Sequence, residues 1–133
     1  MSSPAEPKWL LLEAVLAMHK LLITEHGGAS EVRDRSLLES ALARPHNLFG
    51  YEDPKPSLSR LAASYAFGIA KNHPFVDGNK RVALTAAAVF LEINGAPLEA
   101  NEAEAVAVFR DLASGAIDED ELILWFDQNV SDV

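Results

Sequence analysis

The chain contains no cysteine, which removes a disulfide framework, a thiolate nucleophile and a thiolate metal site from consideration. Long apolar runs are missing as well. The apolar stretch from Trp9 to Ala17 is interrupted by Glu13, and no segment has the length a bilayer requires. No basic region followed by an apolar run and a small-residue cleavage site opens the sequence. These absences predict a cytoplasmic protein with no membrane contact. Lys and Arg are scarce, 11 against 20 Asp and Glu, for a formal charge of -9 at pH 7. Neutralising a phosphate backbone needs surplus cations, so direct nucleic-acid binding is not expected. The positions of the few cations become informative instead. What remains is a chain of 133 residues, 49% of them hydrophobic, which is enough to bury one core. The expectation is a single domain over residues 1–133, with fraying ends at 1–6 and 131–133.

Apolar spacing predicts helices almost throughout. Leu11, Leu12, Val15, Met18, Leu22 and Ile23 step at three to four residues, describing an amphipathic helix that starts near Pro7 and ends at Gly27-Gly28. The glycine pair is explained as a helix stop. Ser36 followed by Glu39 has capping-box spacing and predicts a short helix ending before Pro45, with residues 45 to 55 as a loop. Helix returns from Pro56 to Asn72 along Leu58, Leu61, Ala62, Tyr65 and Ile69. From Val82 to Ile93 only Thr85 and Glu92 are polar, so the helix from Gly78 to Asn94 is expected at the centre of the fold, closed by Asn94-Gly95. Asn101 with Glu104, and Asp118 with Glu121, predict two final helices, the last carrying Leu122, Ile123, Leu124, Trp125 and Phe126 onto the core. The predicted fold class is all-α, a compact bundle of about six helices around a central buried one.

The stretch KNHPFVDGNKR, residues 71 to 81, lies immediately before that central helix. A helix start leaves backbone N–H groups unpaired and carries a partial positive charge, so it is built to receive an anion. Lys80 and Arg81 add full charges there, and Arg presents a planar fork suited to phosphate. Asp77 makes sense among cations when a hard divalent metal, Mg²⁺, sits between it and phosphates. Histidine is the side-chain type suited to general-base work near neutrality, which makes His73 the natural candidate. Lys71 is close enough in sequence to reach the same phosphates, although a solvated helix end accounts for it as well. Each residue alone is ordinary helix-start chemistry. The Lys80-Arg81 pair, however, opposes the helix dipole, and a locally unfavourable choice points to a ligand. The conjunction predicts a phosphoryl- or nucleotidyl-transfer site.

Within that stretch, HPFVDGNKR resembles the signature of the Fic/Doc superfamily. Its Fic branch reads His-Pro-Phe-x-(Asp/Glu)-Gly-Asn-Gly-Arg; its Doc, or death-on-curing, branch has Lys at the position of Lys80. HGGASEVRDRSLLESALARP, AASYAFGIAKN and FLEINGAPL resemble the same toxins, so the likeness covers roughly residues 15 to 129. It implies a Fic/Doc-like fold, with His73 taking the proton of a target hydroxyl, Phe75 as buried loop anchor and Asp77 as Mg²⁺ ligand. It further implies that Gly78 and Asn79 shape the anion hole and that Lys80 and Arg81 bind nucleotide phosphates. Fic proteins transfer AMP to a hydroxyl, whereas Doc toxins are kinases that use ATP to phosphorylate elongation factor Tu and arrest translation. A non-catalytic interaction module is the third class that the same fold admits. The resemblance also implies a Phd-type antitoxin, because the self-inhibitory (Ser/Thr)-x-x-x-Glu-(Gly/Asn) motif of many Fic proteins is absent here.

Other polar residues have plainer readings. Arg33, Asp34 and Arg35 match the family's RD segment but also suit a surface ion pair beside the Ser36 cap. His19 is suited to pack on a helix face and bond a carbonyl, His26 and His46 read as loop residues, and Trp9, Trp125 and Phe126 as core.

Overall fold

Asp34, Ser57, Asn101 and Asp118 each accept a hydrogen bond from the backbone N–H three residues further on, and each starts a helix. A side-chain oxygen at the cap satisfies one of the donors a helix start leaves orphaned. The computed structural model describes residues 6–131. Its helices are α1 (Leu12–His26), α2 (Arg35–Tyr51), α3 (Leu58–Asn72), α4 (Asn79–Ile93), α5 (Glu102–Ser114) and α6 (Glu119–Asn129). Among the described residues the only β pairing is two isolated bridges, Val32 with Phe75 and Leu98 with Val130, so the fold is all-α as expected. No helix of the described residues is long and apolar enough to cross a membrane.

α4 is buried along Val82, Ala83, Ala86, Ala87, Phe90 and Leu91, and α3 shares the centre with it. α3 packs against α2, α4, α5 and α6. Its small side chains, Ala62, Ala63, Ser64, Ala66 and Gly68, are all buried and let neighbouring backbones come close. A Cβ at Gly68 would lie 3.3 Å from the Cα of Ala41 on α2. The remaining volume is filled by larger groups, among them Tyr65 against Phe90 with ring centroids 5.0 Å apart and Phe109 against Phe126 at 6.3 Å. Arg44 ties α2 to α6 through a two-toothed pair with Glu119, both contacts 2.8 Å.

Several local expectations are corrected. α2 is capped by Asp34, not Ser36; the Ser36 hydroxyl donates to the Asp34 carboxylate at 2.6 Å. α2 also continues through Pro45 to Tyr51, so residues 45 to 51 are not a loop and His46 is helical. An interior proline ordinarily costs a helix about 3 kcal/mol. Here Pro45 is itself buried, and the extra turns press Leu48 and Phe49 against the core, with Trp9 packed edge-on to His46 and Phe49. α1 begins at Leu12, not Pro7. The residues before it form no regular element and are held where the Leu10 N–H donates to the Tyr65 hydroxyl and where the Asn94 side chain pairs with both backbone groups of Lys8. Asp118 and Glu121 close a full capping box, whereas Glu104 accepts from the Trp125 indole instead of closing its own. Leu124 is exposed rather than core. Of the expected fraying ends, residues 1–5 and 132–133 lie outside the described residues. Glu6 accepts from the Trp9 indole and Ser131 donates to the Pro97 carbonyl.

Candidate active site

α3 ends where its chain direction reverses. His73 is the C-cap, in the left-handed region at φ 52, ψ 55, and the next residue, Pro74, cannot continue the helix. Four residues later Gly78, at φ 87, ψ 11, is the N-cap of α4 and supplies no side-chain cap. The first N–H groups of α4 are therefore left free, and no acidic residue occupies its first turn. Those groups open onto a cavity of about 900 Å³ lined by His73, Asp77, Gly78, Asn79, Lys80 and Arg81, by His26, Gly27 and Gly28 from the end of α1, and by Arg110 and Ser114 from α5. That volume suits a nucleotide-sized ligand. Asp77 is the sole carboxylate in the lining, against Lys80, Arg81 and Arg110. A chain of charge -9 thus concentrates cations at a helix start whose dipole already favours an anion.

The loop between α3 and α4 is anchored from below. Phe75 is fully buried, and the His19 ring lies flat on it at 3.8 Å and 10°. The His19 Nε2 is 2.8 Å from the Asp77 carbonyl oxygen, the carbonyl bond its position on α1 predicts. The Asn79 side chain, buried, closes a ring with the Phe75 backbone: its Oδ1 accepts from the Phe75 N–H at 3.0 Å and its Nδ2 donates to the Phe75 carbonyl at 2.8 Å. Both polar ends of Asn79 are spent on the loop, so what it offers a ligand is its backbone N–H. A third brace is the segment before α2. The N–H groups of Arg33 and Asp34 both donate to the Pro74 carbonyl, and that of Val76 to the Glu31 carbonyl.

Asp77 is exposed to the cavity and positioned by one hydrogen bond, the Ala29 N–H donating to its Oδ2 at 2.7 Å. Gly28 makes that approach possible. Its φ is +115°, and a Cβ there would sit 3.2 Å from the Asp77 Cβ and 3.4 Å from Oδ2. Gly28 is therefore part of the site, not merely a helix stop. His26, expected in a loop, is the last residue of α1, and its Nε2 is 3.4 Å from the Arg81 guanidinium. Lys71 lies outside the cavity lining, its ammonium 5.6 Å from the centre of the Phe67 ring. Among the described residues no group of three or more His, Cys, Asp or Glu is placed to hold a metal ion. One carboxylate beside a phosphate cradle fits Mg²⁺, which binds through one or two carboxylates together with substrate phosphates and water. It does not fit a metal that demands an all-protein cage.

Residues 9–91 match the model of the Fic/DOC family. The chain belongs to the Fic/DOC family. It is similar to the protein named Toxin Doc of Mycolicibacterium smegmatis, with 47% identity over 75 residues, 56% of this chain and 58% of that protein. It is also similar to Protein kinase doc of Escherichia phage P1, with 34% identity over 83 residues, 62% of this chain and 65% of the relative. Less than two thirds of either relative is spanned. The family match includes the whole loop from His73 to Arg81 and stops before α5. Arg110 and Ser114, the α5 residues that close the Fic/DOC cavity, carry no motif. Their spacing from the loop gives no sign that they meet it.

Proposed function

We propose that this chain is a Doc-type toxin, a protein kinase that transfers the γ-phosphate of ATP to a hydroxyl side chain of a translation factor, elongation factor Tu, in the cytoplasm. The observation that carries the reading is the meeting of His73, Asp77, Lys80 and Arg81 around the uncapped start of α4 in one cavity. The free N–H groups of Gly78 and Asn79, with Lys80 and Arg81, bind the triphosphate. Asp77 would hold Mg²⁺, which would supply charge neutralisation for the phosphate oxygens. His73 accepts the proton of the target hydroxyl as its oxygen bonds to the γ-phosphorus. The bond from that phosphorus to the bridging oxygen breaks, and ADP leaves with the electron pair.

Lys80 distinguishes this reading from AMP transfer. A long cation at that position fills space that glycine would leave for phosphates, which favours a nucleotide orientation presenting the γ-phosphorus. The name of the phage P1 relative, a protein kinase, supports the same choice. Incubation with elongation factor Tu and ATP labelled at either phosphate decides: γ-label on the factor is expected. Label from the α position would assign AMP transfer instead, and no label with either nucleotide would leave a non-catalytic module.

A Phd-type antitoxin completes the proposal. A second groove of about 340 Å³ continues from the cavity between α1, α4 and α5, lined by Leu22, Leu84, Val106 and Phe109, with the three cations Lys80, Arg81 and Arg110 against the two carboxylates Glu25 and Glu102. An amphipathic acidic helix, folding as it binds, suits that surface. Co-expression of the neighbouring small protein is expected to relieve growth arrest and to yield a co-purifying complex.

A further inference from the structure

A helix that ends in a left-handed residue ordinarily ends in glycine or asparagine, because a Cβ is unfavourable there. α3 ends in His73 at φ 52, the one non-glycine residue at positive φ among the described residues. Something must hold that conformation, and the contacts show what does. The Arg33 Nε donates to the His73 carbonyl at 2.7 Å and its Nη2 to the Asn72 carbonyl at 2.8 Å. These are two of the carbonyls a helix end leaves without partners. The guanidinium also places a full positive charge at the negative end of α3. Its own backbone is fixed in turn, through the Arg33 N–H on the Pro74 carbonyl and the Val32–Phe75 bridge. Asp34 adds a second N–H on Pro74 while its side chain caps α2.

The geometry points to Arg33 as the positioning residue of the catalytic histidine: by gripping two carbonyls at the end of α3 it enforces the left-handed turn that aims the His73 imidazole into the cavity. The inference rests on the reading of His73 as the base. Its logic is that the direction of a Cα–Cβ bond follows backbone φ and ψ, so a turn released from the left-handed region carries the imidazole away from the target hydroxyl. The guanidinium is suited to this because its planar fork meets two acceptors at once, whereas a lysine ammonium on a flexible stem reaches one without fixing its orientation. An exposed arginine contributes little to global stability. The effect therefore concentrates in turnover, where a displacement on the order of 1 Å costs up to about 100-fold.

The test uses the full chain with MgATP and elongation factor Tu, and compares Arg33→Gln, Arg33→Lys and Arg35→Gln, the last removing the same charge from a neighbour that does not touch the turn. The first variant is expected to lower kcat about tenfold or more with KM for ATP unchanged. Arg33→Lys falls between it and the wild type, and Arg35→Gln matches the wild type. Nuclear magnetic resonance of histidine-labelled protein, with His73 assigned through His73→Ala, provides a readout independent of turnover. In Arg33→Gln the backbone coupling of His73 leaves its left-handed value and its ring signals shift, while those of His46 on α2 stay in place. Arg33→Lys supplies the same spectrum should Arg33→Gln not fold. An unmoved His73 signal, or an unchanged kcat with raised KM, overturns the assignment. Full turnover in His73→Ala would remove the base reading alone, and the spectra would still decide whether Arg33 holds the turn.

Discussion

The His19 ring and the Phe75 ring lie flat against each other, centroids 3.8 Å apart, while the His19 Nε2 bonds the carbonyl of Asp77 at 2.8 Å. One α1 side chain thus supports the buried anchor of the loop and the backbone of its carboxylate together. His19→Phe keeps a ring for the stack but leaves the Asp77 carbonyl unpaired, a change expected to cost about 1–3 kcal/mol. Phe75→Ala empties a fully buried site and is expected to cost about 3–5 kcal/mol. Urea unfolding of both variants measures the two parts separately.

Gly28 is where the α1–α2 connection meets Asp77. Alanine there meets both an unfavourable φ of +115° and a contact of 3.2 Å with the Asp77 Cβ. Gly28→Ala is therefore expected to be destabilised by about 1–3 kcal/mol and to weaken Mg²⁺-dependent ATP binding. Gly27→Ala, where a Cβ meets nothing within 4 Å, keeps the Asp77 contact and the Mg²⁺ dependence despite its own strained φ. Calorimetric titration of ATP with and without Mg²⁺ separates the two.

Arg44 and Glu119 hold α2 to α6. The Arg44 guanidinium stays protonated above its ordinary range because Glu119 hydrogen-bonds to it, against a smaller opposing effect of burial. Its side chain is 41% exposed and that of Glu119 25%, so solvent discounts the pair. Glu119→Gln is expected to cost about 1 kcal/mol, read as a lowered urea midpoint with unchanged slope.

Two groups make stability depend on pH at opposite ends. The Asp34 carboxyl titrates below its ordinary value of 3.8, held there first by the Ser36 hydroxyl and then by the Leu37 N–H. The folded state thus prefers the carboxylate, and the stability it contributes is present above 3.8 and lost as pH falls through the lowered value. The Tyr65 hydroxyl titrates above its ordinary value of 10.0, pushed up by burial and partly offset by the Leu10 N–H. The folded state prefers the neutral phenol, so its contribution is present below 10.0 and is lost as pH rises through the raised value. Thermal melts across pH should show Asp34→Asn flattening the acid limb and Tyr65→Phe the alkaline one.

The place of the candidate site in the fold was legible because the residues that make it are local. Pro74, Gly78 and the Lys80-Arg81 pair place a helix boundary and its charge within a few positions, and the structure ends α3 and starts α4 there. What supports that loop was less legible. His19, Gly28 and Arg33 reach it only because α1 and the α1–α2 connection fold against it, and no sequence spacing encodes such meetings. The helix through Pro45 was misread for the opposite reason: local propensity says stop, and the burial of Leu48 and Phe49 outweighs it. Asn79 was named as a site residue only by the family resemblance, and its side chain is spent on the loop, bonding the Phe75 backbone.

The account depends on the amino end of α4 binding a magnesium-bound triphosphate. Titration calorimetry of MgATP into the wild-type chain and into the Lys80→Ala, Arg81→Ala double variant tests this directly. Saturable one-to-one uptake by the wild type, weakened by about 100-fold or more in the double variant because two charge-assisted phosphate contacts are gone, is the expected result. No uptake by the wild type, or equal affinity in both proteins, would contradict it.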